Sequence, residues 1–263
     1  MNPLPRKAQR LFLILGGFFI ANALIAEFIG VKIFSLERSL GFEPLGLSFL
    51  GEEALSLNLT AGVILWPIVF VMSDIINEYY GRRGVRLLSF MAVGLILYSF
   101  LMVFVAMQLT PADFWILKDT PNGKLNMDHA FQSIFGQGLW IIAGSVTAFL
   151  IGQLLDVSVF YFFKRYTGNK LIWVRTTGST LVSQLIDSFV VLFIAFYWGA
   201  GWKFTTVLAI GCINYVYKAL MAVLLTPLIY FMHGVIDRYL GTELSERMIA
   251  AATAPEQSQG FHV

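Results

Sequence analysis

Six long apolar segments dictate what this chain folds into. They cover residues 11–34, 59–80, 85–109, 136–163, 175–198 and 204–232. Each has at least the roughly 20 residues that a helix needs to cross about 30 Å of hydrocarbon. The chain is 57% hydrophobic and 13% charged, whereas soluble domains are usually about 25% charged. The expected fold is an all-α integral membrane protein, a bundle of six transmembrane helices spanning 11–232. It is preceded by a basic stretch, 1–10, and followed by 233–263, which starts helical and amphipathic and ends as a disordered polar tail. Arg6, Lys7 and Arg10 resemble the start of a signal peptide, but the apolar run after them is long enough to span and lacks a clean cleavage site. The linker 35–58 is open between a hairpin and a re-entrant loop. The segment 110–135 reads as a long functional loop.

Basic residues set the orientation. On one side lie Arg6, Lys7, Arg10, Arg82, Arg83, Arg86, Lys164, Arg165, Lys170, Arg175, Arg238 and Arg247. On the other lie Lys32, Arg38, Lys118, Lys124 and Lys203. Lys and Arg accumulate on the cytoplasmic side, so both termini are expected there. The net charge of +2 gives no reason to expect a nucleic-acid partner; the partner is the lipid bilayer. Cys212 is the single cysteine and reads as a small packing residue.

Polar side chains inside these segments are the candidates for function, because an ionisable group at the bilayer centre costs about 2.5–3.5 kcal/mol on insertion scales. In the fifth segment Thr180, Gln184 and Asp187 recur at i, i+4 and i+7 and share a helix face. Asp187 lies about 18 Å from the start of that helix at 1.5 Å per residue, near the midplane where carriers hold their solutes. Ser179 and Ser183 are equally consistent with helix packing. The sixth segment offers Asn214, Tyr217 and Lys218, the last able to pair with Asp187. In the second, Asp74, Asn77 and Glu78 share a face that Trp66 and Phe70 extend, and Pro67 loosens the helix start. Glu78 has Arg82 at i+4, a good pairing distance. Asp74, Glu78 and Asp187 are the candidates for proton or ion coupling. In the fourth, Asp156 reads as pairing with a basic loop residue near the cytoplasm. In the first, Asn22 is the better lining candidate and Lys32 snorkels.

Motifs for other chemistries are missing. No G-x-x-x-x-G-K-[ST] loop or H-E-x-x-H pair occurs, and His129, His233 and His262 lie far apart along the chain. A nucleotide hydrolase, a metal site, a cofactor and an intramembrane enzyme are therefore not expected.

Asn22 with the Lys-containing end of the first helix, Asp74-x3-Glu78-x-Tyr80-Gly81, Gly152-Gln-Leu-Leu-Asp156, Ser179-Thr-x2-Ser-Gln-x2-Asp187-Ser and Asn214-Tyr-x2-Lys218 with Pro227 and Tyr230 together resemble the queuosine-precursor (7-cyano-7-deazaguanine) transporter family, also called vitamin uptake transporters. The likeness covers nearly the whole membrane region; Glu27 and the long loops depart from it. It implies import of a 7-deazapurine base across the bacterial inner membrane. A carboxylate, Asp187 or Asp74, would accept the base's N–H donors. Gln184, Asn214 or Asn77 would read its carbonyl, and Trp66, Phe70 or Tyr217 would stack on the ring. A homo-oligomer is left open. So is a role as the substrate-binding subunit of an energy-coupling-factor importer, docked through Gly17, Ala21, Ala26 and Gly30.

Overall fold

The computed structural model describes residues 5–121, 123–136, 139–167 and 172–253. Lys170, the side chain of Arg175 and the tail after 253, for which expectations are stated above, lie outside the described residues. The first helix, α1 (Arg6–Ile29), starts and stops five residues earlier than the apolar run, because Gly30 ends it and Ile33–Ser35 (β1) pairs as a strand. A short helix, α2 (Leu36–Ser39), is capped by the Ser35 hydroxyl. Next come β2 (Leu47–Phe49), β3 (Glu52–Leu55) and β4 (Asn58–Thr60). The linker is thus a hairpin, β2 against β3, nested inside an antiparallel pairing of β1 with β4. Glu52 on that hairpin accepts the hydroxyls of Thr205 and Thr206 at 3.0 and 2.8 Å.

A 3-10 turn, Ala61–Ile64, leads into α3 (Trp66–Met107). Straight, α3 would run about 63 Å, twice the thickness of a bilayer core. It is not straight, since Gly81 has φ 69° and ψ −172°. Contacts with α1 show that the chain reverses there. Before Gly81 the order is inverted: Gly62 meets Ala26 and Tyr80 meets Ala8. After it the order is parallel: Leu88 lies at Gly16 and Phe100 stacks on Phe28. The second and third apolar segments are therefore an antiparallel helical hairpin with a one-residue turn.

Beyond α3, α4 (Asp113–Ile116) precedes the hairpin of β5 (Leu117–Thr120) with β6 (Gly123–Asn126), then α5 (Met127–Phe135). The expected long loop is thus mostly ordered; along it Trp115 meets Phe131 edge-on and Phe131 tilts against Phe135. The remaining long helices are α6 (Leu139–Thr167), α7 (Ile172–Leu192), continued by a π-helical turn Phe193–Trp198, and α8 (Phe204–Leu224). The sixth apolar segment is not one helix. It breaks at Leu225, and α9 (Thr226–Leu240) follows, because Pro227 lacks the N–H that would bond back to Val223. Finally α10 (Thr242–Thr253) turns back on α3, burying Ser245, Met248 and Ala252.

Five of these helices, α3 counted once, are long and apolar enough to cross a membrane. Large apolar side chains such as Leu13, Phe18, Leu101, Phe104, Val216 and Leu220 are exposed around them, the surface a lipid-embedded helix presents. Arg6, Lys7, Arg82, Arg83, Lys164, Arg165 and Arg238 lie at the end of the bundle that holds the Gly81 turn; the β pairs lie at the other end.

Two outcomes test this architecture. At Gly81 a Cβ would lie 3.3 Å from the Ala252 carbonyl and the Tyr161 hydroxyl, in a backbone region that essentially only glycine occupies. Gly81→Ala is expected to destabilise the protein by about 1–3 kcal/mol, read as a lower apparent Tm in detergent. Gly94→Ala, in open space on the same helix, should leave it unchanged. In the capping loops Glu37 is buried, which pushes its carboxyl up. The Leu57 N–H at 2.7 Å and the Ser35 hydroxyl at 3.0 Å outweigh this and hold it below its ordinary value. A depressed folded-state pKa stabilises above the unfolded value and is lost as pH falls through the folded one. Exchange of the Leu57 amide, corrected for intrinsic pH dependence, should therefore accelerate below about pH 4; in Glu37→Gln it should be fast at all pH values.

A candidate solute-binding site between α3, α7 and α8

Hydrophobic packing fixes α3 against α1 and α6 through Phe19, Val69, Ile75, Ile76, Val146 and Phe149. That packing turns the polar face of α3 inward. Between its first half, α7, α8 and the start of α9 lies a cavity with about 440 Å³ of free space, part of it open to the surface. Its polar wall is Asp74, Thr177, Thr180, Gln184 and Lys218; Trp66, Phe70 and Leu225 are among its apolar lining. The chemistry is that of small-molecule pockets: an apolar box with few polar groups. The enclosed part is narrow, so a bicyclic ligand requires the walls to move. The break at Leu225 forms part of one wall, as interrupted helices do in other carriers.

Charges inside the bundle are arranged in layers. Lys218 on α8 pairs with Asp187 on α7, the two side chains 15% and 17% exposed. One layer away, Lys164 on α6 pairs with Glu78 on α3 at 3.3 Å, each 2% exposed. Arg82 lies instead 4.2 Å from the centre of the Tyr161 ring, a cation–π contact. Between the two ion pairs sit Asp74 and Asp156, both 1% exposed and close enough to interact directly. Among the described residues no basic side chain pairs with Asp156; the packing of α6 on α3 brings it to Asp74. The hydroxyls of Ser73 and Ser183 stand 3.3 Å from Asp156 and 3.1 Å from the Phe70 and Thr180 carbonyls, between which each shares its one proton, with Ser179 also against it. Asp74 takes the Thr180 hydroxyl, at 3.3 Å on Oδ2, and stands within hydrogen-bonding reach of Asp156; its Oδ1 has no hydroxyl or amide partner. At the far side Glu27 accepts the Ser145 hydroxyl and lies within electrostatic range of Asp187.

Of the residues singled out in the sequence, the fold brings Trp66, Asp74, Thr180, Gln184 and Lys218 to one cavity, with Asp187 held behind Lys218. Asn22 is not part of it: its amide donates to the Phe18 carbonyl at 2.8 Å within α1. Asn77 is buried with both amide atoms unpartnered, one turn from Asp74 but off the cavity wall. Tyr217 and Asn214 flank Lys218 without lining the space. Thr177 was missed. It bonds Thr226 at 3.0 Å, and its place one turn before Thr180 was the available signal. Ala26, read as part of a docking stripe, is covered by the turn at Gly62.

A helical membrane protein with a polar cavity among its long helices is the class this structure defines. A family model described as "Putative vitamin uptake transporter" matches residues 60–232, and the chain belongs to that family. Two relatives are similar to it, each named "Probable queuosine precursor transporter". The one from Bacillus subtilis (strain 168) is 32% identical over 145 residues, 55% of this chain and 59% of the relative. The one from Haemophilus influenzae (strain ATCC 51907 / DSM 11121 / KW20 / Rd) is 27% identical over 198 residues, 74% of this chain and 77% of the relative. The matched region therefore spans less than two thirds of the Bacillus relative. No solved structure matches.

The buried Glu78–Lys164 pair gives a direct test of the packing. Glu78→Gln or Lys164→Met alone leaves one charge buried without its partner and is expected to cost about 3–5 kcal/mol. The double variant should recover most of the loss, as measured by apparent Tm in detergent.

Proposed function

We propose that this chain is a stand-alone secondary carrier that imports a queuosine precursor, 7-cyano-7-deazaguanine or a related 7-deazapurine, across the bacterial inner membrane. The observation that carries the reading is the convergence in one cavity of an unpartnered carboxyl oxygen on Asp74, the Gln184 amide and the Trp66 and Phe70 rings. A guanine-like edge has adjacent N–H donors beside a carbonyl. Asp74 Oδ1 accepts from those donors, Gln184 donates to the carbonyl, and an aromatic ring covers the flat face. Asp187 is committed to Lys218, so Asp74 is the better acceptor of the two. Family membership and the relatives' names support the same substrate class.

The topology that goes with this reading has six spans. The halves of α3 on either side of Gly81 each cross once, and the basic end of the bundle faces the cytoplasm by the positive-inside rule. Both termini are then cytoplasmic. Transport is by alternating access around a site between the helices, and the substrate crosses chemically unchanged.

Uptake in a bacterium lacking both precursor synthesis and its own precursor transporter tests the assignment, with queuosine in tRNA as the readout. Restoration with 7-cyano-7-deazaguanine or its aminomethyl analogue is expected. Failure with both, in cells whose membranes contain the protein, rejects the substrate. Trp66→Ala should raise the KM for uptake about tenfold, since base–aromatic stacking contributes about 1–3 kcal/mol, whereas Trp66→Phe should stay close to the parent.

A further inference from the structure

Resting on the carrier reading above, we propose that Asp74 and Asp156 form a proton-binding pair that couples import to the inward proton gradient, with the proton carried on Asp74 and the negative charge on Asp156. The acidic groups around them are already accounted for. Glu78 has Lys164 and Asp187 has Lys218; Glu27, which accepts the Ser145 hydroxyl, lies beyond Asp187 and off the cavity wall. Among the described residues no cation pairs with Asp74 or Asp156. Two carboxylates side by side away from water cannot both stay ionised; they share a proton unless a cation intervenes.

The hydrogen bonds decide where that proton resides. Hydroxyl donors stabilise an ionised carboxylate, and three surround Asp156: Ser179, and Ser73 and Ser183, which turn to it from the Phe70 and Thr180 carbonyls that they also reach. Asp74 receives one hydroxyl and keeps a bare Oδ1 although it is 1% exposed. Because Asp74 lines the cavity and Asp156 does not, only Asp74 can exchange its proton with water that enters with the substrate. The other charged groups near the pair, Glu78 with Lys164 on one side and Asp187 with Lys218 on the other, are held in ion pairs, and Glu27 lies beyond Asp187 on the Ser145 hydroxyl. One proton bound from outside with the substrate and released inside with it closes the cycle; no other reactant is consumed.

The test uses purified full-length protein in liposomes held at zero membrane potential. Two quantities are read: exchange of labelled 7-cyano-7-deazaguanine at equal pH, and its accumulation under a one-unit pH gradient. One proton per substrate allows about tenfold accumulation per pH unit. The parent protein should approach that value. In Asp74→Asn, whose side chain also faces the substrate, exchange is expected to weaken, and in the exchange that remains the accumulation ratio should fall to about one. Asp156→Asn removes the neighbouring negative charge and should move the pH profile of accumulation about one unit or more toward acid. A substrate-free measurement stands beside these, made in a Glu27→Gln background because Glu27, half-buried, is another carboxyl without a cation among the described residues: the infrared carbonyl stretch of a protonated carboxyl at neutral pH, present in that background and absent when Asp74→Asn is added. Undiminished accumulation in Asp74→Asn, accumulation that follows a sodium gradient instead, or an infrared band that Asp74→Asn retains in the Glu27→Gln background would each overturn the proton pair. Absence of exchange by the parent protein overturns the substrate reading, and the infrared band then decides the proton pair alone.

Discussion

Every ionised side chain in this bundle must find compensation, because hydrocarbon offers none. That constraint orders the interior. Glu78 and Lys164 reach from α3 and α6 to meet at 3.3 Å with 2% exposure. Asp187 and Lys218 do the same from α7 and α8. Such pairs gain little over well-packed apolar groups, but removing one member is strongly unfavourable. They therefore fix the rotation of four helices about their axes. Once Lys164 faces Glu78, Asp156, two turns earlier on α6, has no direction open except toward Asp74.

The same constraint separates structural charge from functional charge. A lysine-paired carboxylate is satisfied, and a ligand that displaced the lysine would have to replace a full charge. The Asp74 oxygen is different: it is buried, unpartnered and beside open space. Other buried polar atoms, such as those of the Asn77 amide and Gln153 Nε2, also lack partners, but Asp74 Oδ1 belongs to a carboxyl that lines the cavity. A neutral ligand bearing N–H donors completes the hydrogen bonding there without disturbing either ion pair.

Much of this was legible in the chain itself. Periodicity on one helix placed Thr180 beside Gln184, and Asp74 in line with Trp66, because i, i+4 and i+7 fall together on any helix. Opposite charges at matching depth anticipated Lys218 with Asp187. What depends on how two helices are set against each other was not legible. The neighbour of Asp156 is fixed by the packing of α6 on α3, about 80 residues away in sequence, and no local pattern encodes it. Glu78 chose Lys164 over Arg82 for a similar reason. Arg82 follows Gly81, where the helix ends, so the i+4 geometry assumed for the pair does not exist. Breaks were underestimated too. Pro227 was noted, but the stop it imposes at Leu225 was not.

The break and the reversal bear directly on how the cavity can open. The α3 hairpin is braced on both sides of Gly81: Tyr80 bonds the Ala8 carbonyl, and Tyr161 bonds the Ala252 carbonyl beside the turn. Tyr79 adds His233 and Asp237 from α9, and Ser245 of α10 also bonds Asp237. Motion within α3 would break several of these bonds at once. The opposite wall is held less tightly at Leu225, where the proline has already removed a backbone bond and the joint between α8 and α9 lies on the cavity. The energetically easier opening is therefore a hinge of α8 at Leu225 that carries Lys218. α7 belongs to the fixed wall, because Thr180 bonds Asp74, Ser183 reaches Asp156 and the helix packs along α6; an opening at Leu225 is therefore confined to α8 and strains the Lys218–Asp187 pair.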